Sequence, residues 1–311
     1  MYVYLGEMAL RSFPFVQTSV FTDDRYGFGG NQLATFWNSE RNLDLTTEEM
    51  QGMALEFNFS ETTFILSSEK SNCAAKVRIF TPGAEIPFAG HPTLGTAFVM
   101  KHKGLISEEI KVAKLELGIG PTPVEFLSGD TVLMKQSKPE FLAEFNDIKA
   151  IAKAIQINPD DILNTSPIQW VSTGFPFLIV QLRSLKAVQS AEPSPNEIMN
   201  TLAGELSQEI VIFSTETVHE DSSVHARMFA PGVGVLEDPA TGSAAGPLGA
   251  YVRKYDVQSG RDFAEPVVIE QGFEIRRPSN LISQVVGGAT FEEMEVSGKV
   301  KLVAEGNFFL L

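Results

Sequence analysis

Two loops of this 311-residue chain carry residues that could do chemistry together. Gly90-His-Pro-Thr-Leu-Gly-Thr-Ala97 matches Glu237-Asp-Pro-Ala-Thr-Gly-Ser-Ala244 at an offset of 147, and Arg78-Ile-Phe-Thr-Pro-Gly83 matches Arg227-Met-Phe-Ala-Pro-Gly232 at 149. Each loop has the form x-[HD]-P-x-x-G-[ST]-A and leads from a strand-like run into a helix-like one. On this reading Gly95 and Thr96, and Gly242 and Ser243, fall at or close to helix starts. Free backbone N–H groups and the positive end of the dipole gather there and bind carboxylate or phosphate. Two such ends facing one cleft point to a small anionic substrate. The plainer alternative is that Thr96 and Ser243 cap their own helices, and repetition of the whole pattern argues against it.

His91 and Asp238 hold equivalent positions in the two loops, which places an imidazole and a carboxylate on the cleft wall from opposite domains. A nearby carboxylate favours the charged imidazole, so the pair could orient an amino or hydroxy acid or relay protons. The competing reading is a plain loop histidine beside proline and an aspartate that starts a turn. Glu61, in Asn58-Phe-Ser-Glu-Thr-Thr-Phe64, stands among apolar and hydroxyl neighbours at the start of a strand with no evident cation nearby. Burial would lift its pKa toward neutrality and fit it to take a proton from carbon and return it elsewhere. Otherwise it is an exposed glutamate on an edge strand.

Other chemistries lack support. His219-Glu220 followed by His225 misses the HExxH pattern because Ser223 stands where the second histidine belongs, so no zinc is expected. There is no GxxxxGK[ST] loop, and Gly27-Phe-Gly-Gly30 and Gly232-Val-Gly234 lack GxGxxG spacing, so no nucleotide cofactor is expected. Cys73, the one cysteine, excludes an internal disulfide and a CxxC site, reads as a small buried apolar residue, and suits a reducing compartment. A net charge of −15, with no basic run, argues against nucleic acid or an anionic membrane as partner. No uncharged apolar stretch of 18 residues occurs, since Ser172, Thr173, Gly174 and Pro176 break the run 168–182. The first ten residues have neither the basic flank nor the apolar length of a signal peptide and read as an extension of the fold, so the expected location is cytoplasmic. The Asn-x-Ser matches at Asn58 and Asn164 then read as chance.

The elements that must position these residues do not alternate as a doubly wound parallel sheet requires, so an α+β fold is expected. Strands are predicted near 15–21, 62–67, 74–81, 177–182, 209–214, 224–230, 267–275 and 294–302, with several short ones over 112–136. Helices are predicted over 46–57, with Thr46 and Glu49 as a capping box, and over 93–103 and 243–254. A helix-rich connection near 145–163 and a helix opened by Ser194, Pro195 and Glu197 complete the set. A repeat near 150 residues is too long for a solenoid and implies two homologous domains packed face to face. Their expected bounds are 12–137 and 138–297, with a last strand over 298–311 packing back on the first domain.

Taken together, Phe21-Thr22 with Gly30-Asn31, Ser60-Glu61-Thr62, Arg78-Ile-Phe-Thr-Pro, Gly90-His-Pro-Thr93 and Glu237-Asp-Pro-Ala-Thr-Gly-Ser-Ala244 resemble the phenazine-biosynthesis-like (PhzF-like) isomerase family from about residue 14 onward. The resemblance implies a diaminopimelate-epimerase-like fold: two pseudo-symmetric α+β domains, each a sheet or partial barrel around a central helix, with the active site in the cleft between them. It implies cofactor-independent, metal-free proton transfer on a substrate like trans-2,3-dihydro-3-hydroxyanthranilate, and a homodimer. Glu61 matches the family's general acid/base, and His91, Asp238 and Ser243 match its supporting catalytic residues; the reading of the loops themselves adds Gly90, Gly95, Thr96, Gly242 and Asn31 as the expected substrate-binding set. Related epimerases use two thiols, which one cysteine cannot supply. Gln32 stands where proline is common in the family. The rival expectations are a catalytically silent small-molecule-binding or interaction protein of the same fold, and a racemase or epimerase with non-thiol bases.

Overall fold

The computed structural model describes residues 10–255, 257, 260 and 262–310, so the expected N-terminal extension lies outside the described residues apart from Leu10. Local signals place the first helix, α1 (Thr47–Phe57). The Thr46 hydroxyl accepts from the Glu49 N–H, and the Glu49 carboxylate accepts from the Thr46 N–H. Met50, Met53 and Ala54 form its buried face, and Asn58 ends it in the left-handed conformation.

Around α1 the first half runs β1 (Arg11–Thr22), β2 (Asn31–Phe36), β3 (Glu61–Leu66), β4 (Ala75–Phe80), β5 (Glu85–Ile86), α2 (Gly90–His102), β6 (Val112–Leu117), β7 (Gly120–Phe126) and β8 (Thr131–Gln136). The second half begins with β9 (Glu140–Glu144), α3 (Ile148–Ala154), β10 (Gln169–Ser172), β11 (Pro176–Gln181), α4 (Leu185–Ser190) and α5 (Pro195–Thr201). It continues with β12 (Ile210–Ser214), β13 (Val224–Ala230), β14 (Val235–Asp238), α6 (Gly242–Lys254), β15 (Val267–Gln271), β16 (Ser279–Val286) and β17 (Glu293–Leu310).

The two halves repeat one pairing scheme. β1–β2 is antiparallel, β2–β3 parallel, β3–β4 antiparallel, β4–β6 parallel and β6–β7 antiparallel. β10–β11, β11–β12, β12–β13, β13–β15 and β15–β16 follow the same sequence of directions. β17 starts beside β16, pairs with β8, and runs on along the length of β1. That pairing closes the first-half strands into a ring around α2. β8 likewise leads into β9, which pairs with β10. The first half is thus completed by chain that belongs in sequence to the second.

One core spans both halves. Leu94, Ala97 and Met100 of α2 share it with Ala245, Leu248 and Val252 of α6, and Phe21 and Met134 lie between them. Full burial contributes roughly 1.5–3 kcal/mol for each large apolar side chain, so the central helices are held chiefly by packing. Phe13, Phe36, Phe64 and Phe80 form a separate cluster with α1, and Trp170, Val180 and Ile212 pack under the second-half helices.

Three expectations are corrected. α2 begins at Gly90 rather than at 93, because Pro92 sits in the first turn, where a missing N–H costs no hydrogen bond. The strand expected over 267–275 stops at Gln271; Gly272 turns the chain at φ +79°, where a Cβ would lie 2.5 Å from the carbonyl oxygens of Arg277 and Pro239. Cys73 is partly exposed in the turn between β3 and β4, not buried. Among the described residues no helix is long and apolar enough to cross a membrane.

Candidate active site

The starts of the two central helices meet. Both helices are 13 residues long, and Gly90 and His91 of α2 hold the places that Gly242 and Ser243 hold in α6. A Cβ on Gly90 would lie 3.0 Å from the Ser243 backbone nitrogen and 3.2 Å from the Gly242 carbonyl carbon. On Gly242 it would lie 2.8 Å from Cζ of Phe21. Glycine at 90 is therefore what lets the helix starts approach, and glycine at 242 leaves room for Phe21. Neither start is covered by a capping side chain: the cap positions are Ala89 and Thr241, and neither side chain bonds its helix.

This geometry corrects two sequence readings. Gly95 and Thr96 lie inside α2, one turn past its start. A Cβ on Gly95 would stand 2.6 Å from Leu33 Cδ2 and 2.8 Å from Val20 Cγ2, and the Thr96 hydroxyl donates to Thr63 Oγ1 at 2.8 Å. Their N–H groups are within the helical ladder, so they cannot receive an anion at its end. Asp238 is also not the counterpart of His91: it ends β14, ahead of α6, whereas His91 is already helical. The shared His-Pro and Asp-Pro letters fall on different elements because Pro92 is helical and Pro239 is not.

The structure does bring Glu61, His91, Asp238, Asn31 and Ser243 to the seam between the halves. Glu61 is the first residue of β3, paired in parallel with Leu33 of β2. Its side chain is 16% exposed and its Oε2, 3.4 Å from His91 Nε2, has no hydrogen-bond partner. Burial, with the nearby charge of Asp238 adding to it, pushes the Glu61 carboxyl up to about 8.

Asp238 differs in being well supplied with donors. Asn31 Nδ2 donates to its Oδ1 at 2.9 Å, Ser60 Oγ reaches the same oxygen at 3.5 Å, and Thr241 Oγ1 donates to Oδ2 at 2.5 Å. Burial raises this carboxyl, the Thr241, Asn31 and Ser60 bonds pull it back, and the net position is about 6. At neutral pH the two carboxyls thus divide the work: Asp238 carries charge and Glu61 carries a proton.

His91 is neutral, contrary to the expectation of a charged imidazole. Burial pushes it down to about 3, only partly opposed by a backbone hydrogen bond. Its Nε2 faces the Gln32 carbonyl at 3.3 Å. A carbonyl can only accept, so that nitrogen bears the proton.

Sequence reading missed Ser60 as a contact of Asp238, and missed Thr241 and Gln271. Thr241 at least sits inside the repeated loop, next to Gly242, whereas nothing in the sequence ties Gln271 to it. His225 lies between Glu270 and Glu274, at 2.8 Å from each, and His219 Nε2 bonds the Tyr26 hydroxyl at 2.7 Å. Among the described residues no group of three or more His, Cys, Asp or Glu side chains could hold a metal ion. What the seam offers is a pair of helix starts rich in N–H groups beside a carboxyl that can gain and lose a proton near neutrality.

A closed strand ring around α2 and a matching strand array packed on α6, linked by β17, define a diaminopimelate-epimerase-like fold. A solved hydroxyproline epimerase from Agrobacterium vitis shares it with a TM-score of 0.62 at 11% identity, over 96% of this chain and 93% of that one. A Bacillus anthracis phenazine biosynthesis protein of the PhzF family superposes with a TM-score of 0.86 at 27% identity, covering 97% of this chain and 99% of that chain. The profile of the phenazine biosynthesis-like protein family matches residues 18–306, and the chain belongs to that family. It is 32% identical over 291 residues to the trans-2,3-dihydro-3-hydroxyanthranilate isomerase of Pseudomonas aeruginosa, covering 90% of this chain and 94% of that protein. It is 33% identical over 267 residues to the uncharacterized isomerase YfhB of Bacillus subtilis, covering 85% of this chain and 86% of that protein. The chain is an isomerase of the PhzF family.

Proposed function

We propose that the protein moves a proton between two carbons of a small carboxylate-bearing substrate, without a cofactor, using Glu61 as the single acid/base. The observation that carries this reading is Glu61 itself: an unpartnered carboxyl oxygen at the seam, on a group whose burial sets it at about 8. The substrate carboxylate docks on the N–H groups at the starts of α2 and α6, at Gly90 and at Gly242 and Ser243. Glu61 takes a proton from one carbon, and the C–H electrons pass into the conjugated system. The same carboxyl returns the proton at a second carbon as the double bond shifts. His91, neutral and held by the Gln32 carbonyl, lies 3.4 Å from Glu61 and forms the wall beside it. Asp238 and Asn31 orient polar substituents of the substrate. Closing the halves around the substrate excludes water and strengthens every electrostatic contact to the developing enolate or enamine.

The isomerase relatives named for trans-2,3-dihydro-3-hydroxyanthranilate make that compound the first substrate to try. An NMR time course in D2O, wild type against Glu61→Gln, tests the reading. Conversion with deuterium incorporation is expected in the wild type alone. Full turnover by folded Glu61→Gln would remove Glu61 from the chemistry. Exchange of an α-proton without isomerisation would instead favour a racemase or epimerase with a non-thiol base.

A further inference from the structure

Thr241 occupies the cap position of α6 yet leaves that helix uncapped. The cause is Gln271, at the end of β15, whose amide is fixed in one orientation by two backbone partners. Its Nε2 donates to the Asp238 carbonyl at 2.7 Å, and its Oε1 accepts from the Thr241 N–H at 3.3 Å. A carbonyl cannot donate and an N–H cannot accept, so the amide cannot flip without losing both bonds. In this orientation Nε2 also donates to Thr241 Oγ1 at 3.0 Å. The Thr241 hydroxyl, having accepted there, must direct its own proton elsewhere, and Asp238 Oδ2 lies 2.5 Å away. Gln271, Thr241 and Asp238 are all buried, so water does not compete.

We infer that Thr241, aimed by Gln271, is a positioning residue that decides which of the two seam carboxyls holds the proton. Its hydroxyl stabilises the charged form of Asp238, and that charge adds to the burial that keeps Glu61 protonated. Glu61 receives no comparable donor, since its Oε2 is unpartnered. Other charged or titratable groups around the pair do not reverse this assignment. His91 of α2 stays neutral. Glu237, beside Asp238 on β14 and held by a bidentate pairing with Arg227 of β13 at 2.9 and 2.8 Å, raises Asp238, but by less than the Thr241 bond lowers it. Arg277, from the turn between β15 and β16, bonds the carbonyls of Gly29 and Gly30 and the Ser19 hydroxyl, not Asp238. The Asn31 bond to Oδ1 comes from the other half, so Thr241 is the donor that α6 itself brings to the site.

The inference deepens the proton-shuttle reading of the same site, but its test uses no substrate and therefore stands apart from it. Carboxyl carbon NMR titration of the apo protein, with the two signals assigned by their loss in Glu61→Gln and Asp238→Asn, follows both groups directly. Thr241→Val removes the hydroxyl at nearly constant volume. It is expected to move the Asp238 midpoint up by roughly one to two pH units and the Glu61 midpoint down, in opposite directions. Thr241→Ser should restore both. Two unshifted midpoints in folded Thr241→Val, or two that move the same way, would overturn the assignment. If Thr241→Val does not fold, Gln271→Leu keeps the hydroxyl but releases its aim, and opposite, smaller shifts are expected; unshifted midpoints there overturn it equally. Loss of isomerase activity in the wild type would sink the shuttle and leave this titration result standing.

Discussion

Gly90 faces the Ser243 backbone nitrogen so closely that a Cβ on it would stand 3.0 Å away, which leaves the two central helices start to start. Gly90→Ala should therefore push the N–H groups of the two starts apart. The fold should survive at a cost of about 1–3 kcal/mol, while kcat/KM falls roughly a hundredfold, as misplacement by about 1 Å does to a reacting pair. Gly95→Ala gives the contrast. Its Cβ meets Leu33 and Val20 side chains within the core, so it should lower the melting temperature and leave kcat/KM within a few-fold of wild type. Thermal melts and steady-state kinetics on both variants decide the matter: a folded Gly90→Ala with wild-type kcat/KM would mean that the helix starts do not hold the substrate.

Glu61 and Asp238 predict the pH dependence. A base must be ionised to take a proton from carbon, and Glu61 sits at about 8, so kcat/KM should rise between pH 7 and 9. Burial is the larger cause of that position and the Asp238 charge the smaller. Asp238→Asn removes the charge along with one acceptor oxygen, so the rising limb should move to lower pH without returning to the ordinary carboxylate range. A limb that stays in place would show that the two carboxyls do not sense each other.

The legible features were those written locally. The capping box of α1 needs only Thr46 and Glu49, three residues apart, and both bonds are present. Glu61, His91, Asp238, Asn31 and Ser243 lie in short motifs, and the structure gathers them at one seam. The start of α2 was misplaced because proline usually marks a boundary, whereas Pro92 is accommodated within the first turn. The neutrality of His91 is not legible because its burial comes from tertiary packing, and burial outweighs the opposing bond to the Gln32 carbonyl. Thr241 and Gln271 meet only because β15 pairs beside β13 and delivers the amide to the α6 start. Such contacts follow from topology and leave no periodic trace in the sequence.

His225 supplies a stability prediction independent of catalysis. It is buried, with Nδ1 2.8 Å from Glu270 and Nε2 2.8 Å from Glu274. Burial opposes its charge, but the two carboxylates outweigh burial and hold it up to about 9, against an ordinary 6.5. A group whose pKa is raised by folding stabilises the fold fully below its unfolded pKa, and that stabilisation disappears as pH climbs through the folded value. His225 should thus contribute roughly 3 kcal/mol at pH 6, lost progressively between about 6.5 and 9. Glu61, also raised, acts with the same sign from 4.5 to about 8 and overlaps this window. Urea denaturation is therefore best followed in Glu61→Gln, where that contribution is gone. Asp238, raised from 3.8 to about 6, changes stability mainly below the window. The expected result is a midpoint that falls steadily from pH 6.5 to 9.5. A flat midpoint across that range would mean that His225 is not held charged between its two carboxylates.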